Sequence, residues 1–290
     1  EMKISVITTL FYGEKYISNL IKCIEDNINV ISNESEDIQV EYVFINDSPE
    51  QQIKDISSDL FDTKIYNNEI NMGIHKSRVK GLEIATGDYI LFLDQDDKIK
   101  NNFMLEMGKK AKERFADVII ANAIIEDEHG KHIFYTNEYA IKCATKFRPY
   151  YRINNQIFSP GQCLIKKESI PDEWKEYHMK NNGADDYFLW ILMFSKKKVF
   201  TYLNKCLYIH CYTGENLSYN LDKMLESTME MLSYISKVPY VSGKIINNVS
   251  RYSIYKNKFR KENRLKKILI SIKYFGYALD NVFYRLKCKL

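Results

Sequence analysis

The chain contains no C-x-x-C pair, and no apolar run approaches the roughly 18 residues that suggest a membrane span. Its six cysteines, at 23, 143, 163, 206, 211 and 288, are scattered. A zinc site is therefore not expected, and the thiols read as reduced cytosolic core residues. No segment repeats and no low-complexity linker interrupts the 290 residues. Residues 3–10 form an apolar block too short for a signal peptide and read better as a strand, so a cytoplasmic location is expected. What is present, 45% hydrophobic and 28% charged residues, fits a folded globular protein. The length suits one large domain, or a catalytic domain with an appendage.

The formal net charge of +4 is unevenly spread. Residues 256–290 hold eleven Lys/Arg against Glu262 and Asp280, a local net charge of +9, which leaves −5 for residues 1–255. An acidic body with a basic tail follows.

The first half alternates between strand and helix signals. β-Branched runs at 3–9, 40–45 and 63–66 read as strands, and helical spacing recurs at 14–29, near 50–60 and at 74–86, the last closed by Gly87. Tyr89–Leu93 is a further strand. This alternation predicts an α/β fold with a mostly parallel, Rossmann-like sheet flanked by helices, its ligands beyond the carboxyl ends of the strands. Thr8 and Thr9, Asp47, and Asp94–Asp97 sit at three such ends. Further on, 116–121 reads as a strand, 124–136 as a hairpin turning at His129-Gly130, 184–196 as a helix and 198–212 as strands. The segment 137–160 resists assignment. The pattern is helical from about 217, with Leu221, Leu225, Leu232 and Ile235 on one helix. The expected domains are 2–215, catalytic, and 216–290, a helical basic extension.

Asp94-Gln95-Asp96-Asp97 is the most informative stretch. Three carboxylates in four residues repel one another, and a hard divalent cation shared with substrate phosphates would relieve that repulsion. The stretch points to Mg2+- or Mn2+-assisted chemistry on a phosphorylated substrate. An EF-hand loop is excluded by Ile99, where a glycine is required.

Four blocks in order resemble an inverting glycosyltransferase of family 2 with the GT-A fold, over roughly residues 3–215. They are Ser5 to Tyr16, Phe44 to Ser48, Asn71 to Leu82 running through Ala85-Thr86-Gly87-Asp88-Tyr89 into the D-x-D-D, and Asp185-Asp186-Tyr187-Phe188-Leu189-Trp190. Two departures stand out. Thr9-Leu10-Phe11-Tyr12 replaces the family's Pro-x-Tyr-Asn, and Asn46-Asp47-Ser48 replaces Asp-Asp-Gly-Ser.

The resemblance implies that Asp96 and Asp97 serve metal and ribose, with Asp94 in support and His210 near the diphosphate, completing the metal shell. It implies that Asp47 accepts a hydrogen bond from a uracil ring, with Thr8 and Thr9 presenting polar groups to the same base. Asp47 alternatively caps a helix near residue 50. The resemblance implies that Arg78 lies near the donor nucleotide; Lys76 and Arg78 both sit near a helix N-terminus, where the dipole disfavours cations, which favours a ligand role over the alternative of a solvated helix face. Asp186, with Asp185 second, is the implied base that deprotonates the acceptor hydroxyl; as bare sequence the pair also reads as a helix N-cap. Gly161 and Gln162 are candidates for lining the sugar or acceptor pocket.

The expected partners are a UDP-sugar donor and a glycan or lipid-linked glycan acceptor of a bacterial surface or capsular polysaccharide. The apolar residues among the tail's lysines and arginines are compatible with basic amphipathic helices lying on the inner face of the plasma membrane, or with packing and homo-oligomer contacts. No nucleic-acid-binding module accompanies the charge. Two other classes remain open on the residues alone: a phosphatase of the haloacid dehalogenase class, and an inactive transferase-like assembly partner.

Overall fold

A computed structural model describes residues 2–54, 56–113, 115–214 and 220–289. The chain divides into two compact units. The first comprises Glu1–Phe134, Ser159–Ile170 and Lys198–Glu215, and the second Tyr135–Phe158, Pro171–Lys197 and Asn216–Leu290. These units are not divided at residue 215 alone: two inner segments, 135–158 and 171–197, group with the C-terminal part.

Among the described residues, the first unit is built on a nine-stranded sheet. Its strands are β1 (Met2–Leu10), β2 (Ile38–Asn46), β3 (Asp62–Asn67), β4 (Tyr89–Phe92), β5 (Lys98–Ile99), β6 (Val118–Asp127), β7 (Gly130–Ile133), β8 (Cys163–Lys166) and β9 (Phe200–Cys211). The order is β3-β2-β1-β4-β8-β6-β9-β5, with β7 hairpinned onto β6. β1 lies parallel to β2 and β4, β2 to β3, and β6 to β9. The other four pairings are antiparallel. The sheet is thus mixed rather than mostly parallel. β8 follows the 3-10 turn Pro160–Gln162, which lies against the carboxyl end of β4, and so it runs back between β4 and β6.

Ile4, Val6 and Leu10 of β1 are buried with Tyr42 and Phe44 of β2 beneath α1 (Ile17–Asn33) and α3 (Phe103–Glu113). The helices contribute Leu20, Ile24 and Ile31, and Phe103, Met104 and Met107. Leu20, Ile24 and Ile31 lie four and seven positions apart, and Met107 lies four and three from Phe103 and Met104, spacings that fall on one helix face. On the other face of the sheet, α2 (Ile74–Ile84) packs against β1 and β2. Gly87 does not close this helix, which ends where Ala85 turns extended. Gly87 instead lies on β1, where a Cβ would stand 2.8 Å from both the Lys3 carbonyl and the Ser5 nitrogen.

The helix expected near 50–60 is absent among the described residues. Side-chain amides replace its hydrogen bonds. Asn46 Nδ2 donates to the Gln51 carbonyl, and Asn67 both accepts from Ile53 N and donates to the Ile53 carbonyl. Backbone groups satisfied this way need no helix.

The second unit is helical: α4 (Glu138–Ala144), α5 (Phe147–Arg152), α6 (Asp172–Glu176), α7 (Asp185–Ser195), α8 (Leu221–Ile235), α9 (Gly243–Lys261), α10 (Arg264–Lys273) and α11 (Phe275–Lys289). Tyr187 through Phe194 of α7 are all buried, so this helix is enclosed on every side. Tyr252 and Tyr255 of α9 gather with Tyr277 of α11 and Ile270 of α10 into a small separate core.

Candidate active site

The parallel strands β1, β2 and β4 end on one side of the sheet: β1 and β2 at the pair Leu10–Asn46, and β4 at Phe92 opposite Ile7. That shared edge gathers Thr8, Asp47 and the turn 94–97, as the alternation of elements predicted. The turn closes through Asp97 N–H donating to the Asp94 carbonyl at 3.2 Å.

Its three carboxylates have different surroundings. Asp94 is shared between Arg78, whose Nη2 lies 2.5 Å from Oδ1, and Ser159, whose hydroxyl donates to Oδ2 at 3.2 Å. Asp97 is 3% exposed and turned into the protein. It accepts from the Tyr208 hydroxyl and from Cys211 N–H, and its Oδ1 lies 3.0 Å from His210 Nδ1. Asp96 is half-buried and forms no ion pair among the described residues. Burial, then the neighbouring Asp97 and Asp94, push its carboxyl up to about 6. Burial also raises Asp97, against the opposing pull of His210. Burial by itself would lower His210, but contact with Asp97 and the nearby Asp94 and Asp96 outweigh it and hold the imidazole above its ordinary value.

Among the described residues, no three His, Cys, Asp or Glu side chains converge as a complete metal cage. Asp96, Asp97 and His210 are thus not a ready three-ligand set, because Asp97 and His210 are engaged with each other. The donor set does suit Mg2+ or Mn2+ in the manner common at nucleotide sites, with one or two carboxylates and the remaining ligands from phosphate and water.

The other expected residues divide between ligand-facing and structural positions. Both oxygens of Asp47 are engaged: Oδ1 accepts from Asn68 Nδ2 and Met72 N–H, and Oδ2 from Gly73 N–H. Asp47 thereby fixes the loop entering α2, not a helix near residue 50. Thr8 is buried; its hydroxyl donates to the Leu93 carbonyl, directly beneath the acidic turn, and accepts from Tyr42. Thr9 points the other way and is half-buried. Arg78 is 5% exposed with its guanidinium over Phe92, while Lys76 makes no ion pair among the described residues. Gln162 is fully buried, so its amide does not line a pocket. It donates to the Ala121 carbonyl and accepts from Ser159 N–H. Gly161 is needed for contact, since a Cβ there would stand 2.5 Å from the Tyr208 ring.

Four participants escape the sequence reading: Gln95, Ser159, Tyr208 and Ser48. Gln95 grips the Phe11 backbone twice, accepting from its N–H at 2.9 Å and donating to its carbonyl at 3.2 Å. Ser48 accepts from Tyr12 N–H, so the opening loop, with Phe11 and Tyr12 exposed, is tied on two sides. Two of the four have legible signals. Ser159-Pro-Gly-Gln162 has the spacing of a capping box, which forms here. Tyr208 lies two residues before His210 on a strand, hence on the same face.

In the second unit, Asp185 and Asp186 open α7. Asp185 is buried, and its carbonyl accepts from Trp174 Nε1 at 2.8 Å. Asp186 is half-buried and accepts from Asn155 Nδ2 at 2.9 Å and from Tyr187 N–H at 2.7 Å.

Comparison with known proteins agrees with this architecture. The profile described as Glycosyl transferase family 2 matches residues 5–174. Glycosyltransferase GlyG of Streptococcus pneumoniae serotype 4 is 25% identical over 201 residues, 63% of this chain and 62% of GlyG. The chain thus spans less than two thirds of that relative's length. Among solved structures, S. aureus TarS 1–349 in complex with UDP-GlcNAc aligns with a TM-score of 0.63 at 17% identity, covering 90% of this chain and 74% of that one. Mannosyltransferase PcManGT from Pyrobaculum calidifontis, in complex with GDP-Man and Mn2+, aligns with a TM-score of 0.54 at 9% identity, covering 98% and 84%. At these identities the two structures speak for the fold alone, the expected GT-A arrangement. With the family profile matched over more than half of its length, the chain belongs to glycosyl transferase family 2.

Proposed function

We propose that this protein transfers a sugar from a nucleoside diphosphate sugar to a hydroxyl of a glycan acceptor, with inversion at the anomeric carbon. The observation that carries this reading is the half-buried Asp96, set at the carboxyl edge of β1, β2 and β4 beside an Asp94 held by Arg78 and Ser159. A carboxylate kept short of cations in a partly desolvated turn suits a site completed by a divalent ion and a diphosphate. Family membership argues against the phosphatase alternative.

In this reading Asp96 would hold Mg2+ or Mn2+, with Asp94 beside it. When bound, the ion offsets the charge that grows on the departing nucleoside diphosphate. Arg78 fixes Asp94 and adds positive charge to the diphosphate end. Asp97, clamped by Tyr208, Cys211 and His210, sets the shape of the turn. Phe11 and Tyr12, anchored through Gln95 and Ser48, supply exposed aromatic surface at the same edge for the base. Asp186 takes the proton from the attacking acceptor hydroxyl, and Asn155, donating to one of its oxygens, orients the carboxylate.

UDP is the favoured carrier, supported by the complex of TarS with UDP-GlcNAc. A divalent ion is supported by the Mn2+ in the PcManGT complex. A surface or capsular glycan is the proposed acceptor. The test is turnover of a panel of UDP- and GDP-sugars with Mn2+, scored as nucleoside diphosphate release with and without glycan acceptors. Release that requires the cation and is lost in Asp96→Ala supports the proposal. Nucleotide binding without release from any donor would favour an inactive assembly partner.

A further inference from the structure

The two last helices carry their apolar stripes outward. On α10, Leu265, Ile268, Leu269 and Ile272 recur at i, i+3, i+4 and i+7, the spacing of one helix face. All four are at least 54% exposed. On α11, Phe275, Leu279, Val282, Phe283 and Leu286 repeat the pattern and are likewise exposed. The inward faces are already satisfied, since Ile270 and Tyr277 pack with Tyr252 and Tyr255 of α9.

The two stripes meet over part of their length. Ile268 and Ile272 from α10 line a shared open groove with Phe275, Leu279 and Val282 from α11. Isolated surface leucines need no explanation, but a continuous apolar patch built from two helices marks an interaction site.

Charge selects the partner. Arg264 and Lys267 line the groove, and Lys266, Lys273 and Arg285 are exposed elsewhere on the same two helices. The two acids of the tail are matched internally, Glu262 by Lys266 at 3.0 Å and Asp280 by Arg152 at 2.5 Å. Lys261 is likewise taken up by Asp222, which leaves Arg264, Lys273 and Arg285 as exposed positive charge on the two helices. A second copy docking face to face would meet the same positive charge. An anionic bilayer meets it with opposite charge, and offers apolar depth for the stripes. Among the described residues no helix is long and apolar enough to cross a membrane, so these helices would lie along the surface.

We propose that the α10–α11 face docks this protein onto an anionic phospholipid surface, with the apolar stripes inserted at the headgroup boundary. The proposal is independent of the transfer reaction and survives its failure. The test is flotation of the full chain with vesicles of phosphatidylcholine alone and of phosphatidylcholine with phosphatidylglycerol at about 7:3. The expected result is binding to the anionic vesicles, weakened about tenfold or more on neutral vesicles and at about 0.5 M salt, where the Debye length shrinks. The double variants Ile268→Asp/Ile272→Asp and Lys266→Glu/Lys273→Glu should each lose about tenfold with an unchanged circular dichroism spectrum, because the altered side chains are exposed. Lys131→Glu, on the exposed β7 hairpin, should bind as the parent does. Equal binding to both vesicle types, or no binding to either, would overturn the proposal. So would a dimer in light scattering that Ile268→Asp/Ile272→Asp dissolves while the parent ignores vesicles, since a second copy would then be the occupant.

Discussion

Arg78 Nη2 lies 2.5 Å from Asp94 Oδ1, with the arginine side chain 6% exposed and the aspartate 28%. This pair joins the first helical turns of α2 to the acidic turn after β4, so the two ends of one sequence block form one device. Arg78→Ala leaves Asp94 beside Asp96 and Asp97 without its counter-charge. Turnover of the donor sugar should fall by about 10²-fold. Arg78→Lys should recover part of the loss, since a lysine restores the charge but not the planar fork. Steady-state kinetics of both variants, beside thermal melts, check this; unchanged kcat/KM in Arg78→Ala would remove the pair from the site.

Asp96 sets function against stability. Its charge is held in a half-buried turn against two other carboxylates. Asp96→Asn should therefore raise the melting temperature by about 2 °C at neutral pH while abolishing donor turnover. Differential scanning calorimetry and the nucleotide-release assay read the two effects separately. A variant that melts lower than the parent would contradict the electrostatic account.

Glu41 is the chain's clearest pH-linked stabiliser. Burial alone would raise its carboxyl, but hydrogen bonds from Ser5, Thr86 N–H, Lys64 and Lys3 outweigh this and hold it far below the ordinary value of 4.5. A depressed folded-state value means that the stabilisation is complete above 4.5 and is lost as pH falls below it. Glu41→Gln should cost about 2 kcal/mol near neutral pH. The gap between parent and variant should narrow as pH drops below about 4, measured by urea unfolding across pH.

Gly161→Ala tests the packing behind the turn. The added methyl meets the ring of Tyr208, whose hydroxyl donates to Asp97. Loss of about 1–3 kcal/mol of stability is expected, together with weakened donor binding as Asp97 shifts. Calorimetric titration with UDP and Mn2+ measures the second effect. Normal stability and binding would show that Tyr208 relaxes freely.

For Asp186, the expectation is a loss of transfer with retained donor binding. Asp186→Asn keeps the hydrogen-bonding shape but removes the basic oxygen. UDP affinity should stay within about twofold while transfer to acceptor drops by about 10³-fold. Loss of UDP binding instead would place Asp186 on the donor side.

Periodicity and punctuation alone determined much of this protein. The β-branched runs of β1 and β2, the apolar run of β4, the helical spacing of α1 and α8, and the His129-Gly130 hairpin follow from local rules of twofold and 3.6-fold repeat. Their alternation was enough to bring Thr8, Asp47 and Asp94–Asp97 to one edge, because parallel strands joined by helices must end on the same side. Tertiary structure decided what local rules do not reach. The segment after Asp47 is not helical, because the amides of Asn46 and Asn67 take over its backbone hydrogen bonds. Gln162 turns inward to Ala121. The three carboxylates of the acidic turn, equivalent in sequence, become distinct only when Arg78 takes Asp94 and Tyr208 with His210 takes Asp97. Those partners lie 16 and more than 100 positions away along the chain. A carboxylate's charge and role are fixed by what surrounds it in space, and that surrounding forms only when the sheet is assembled.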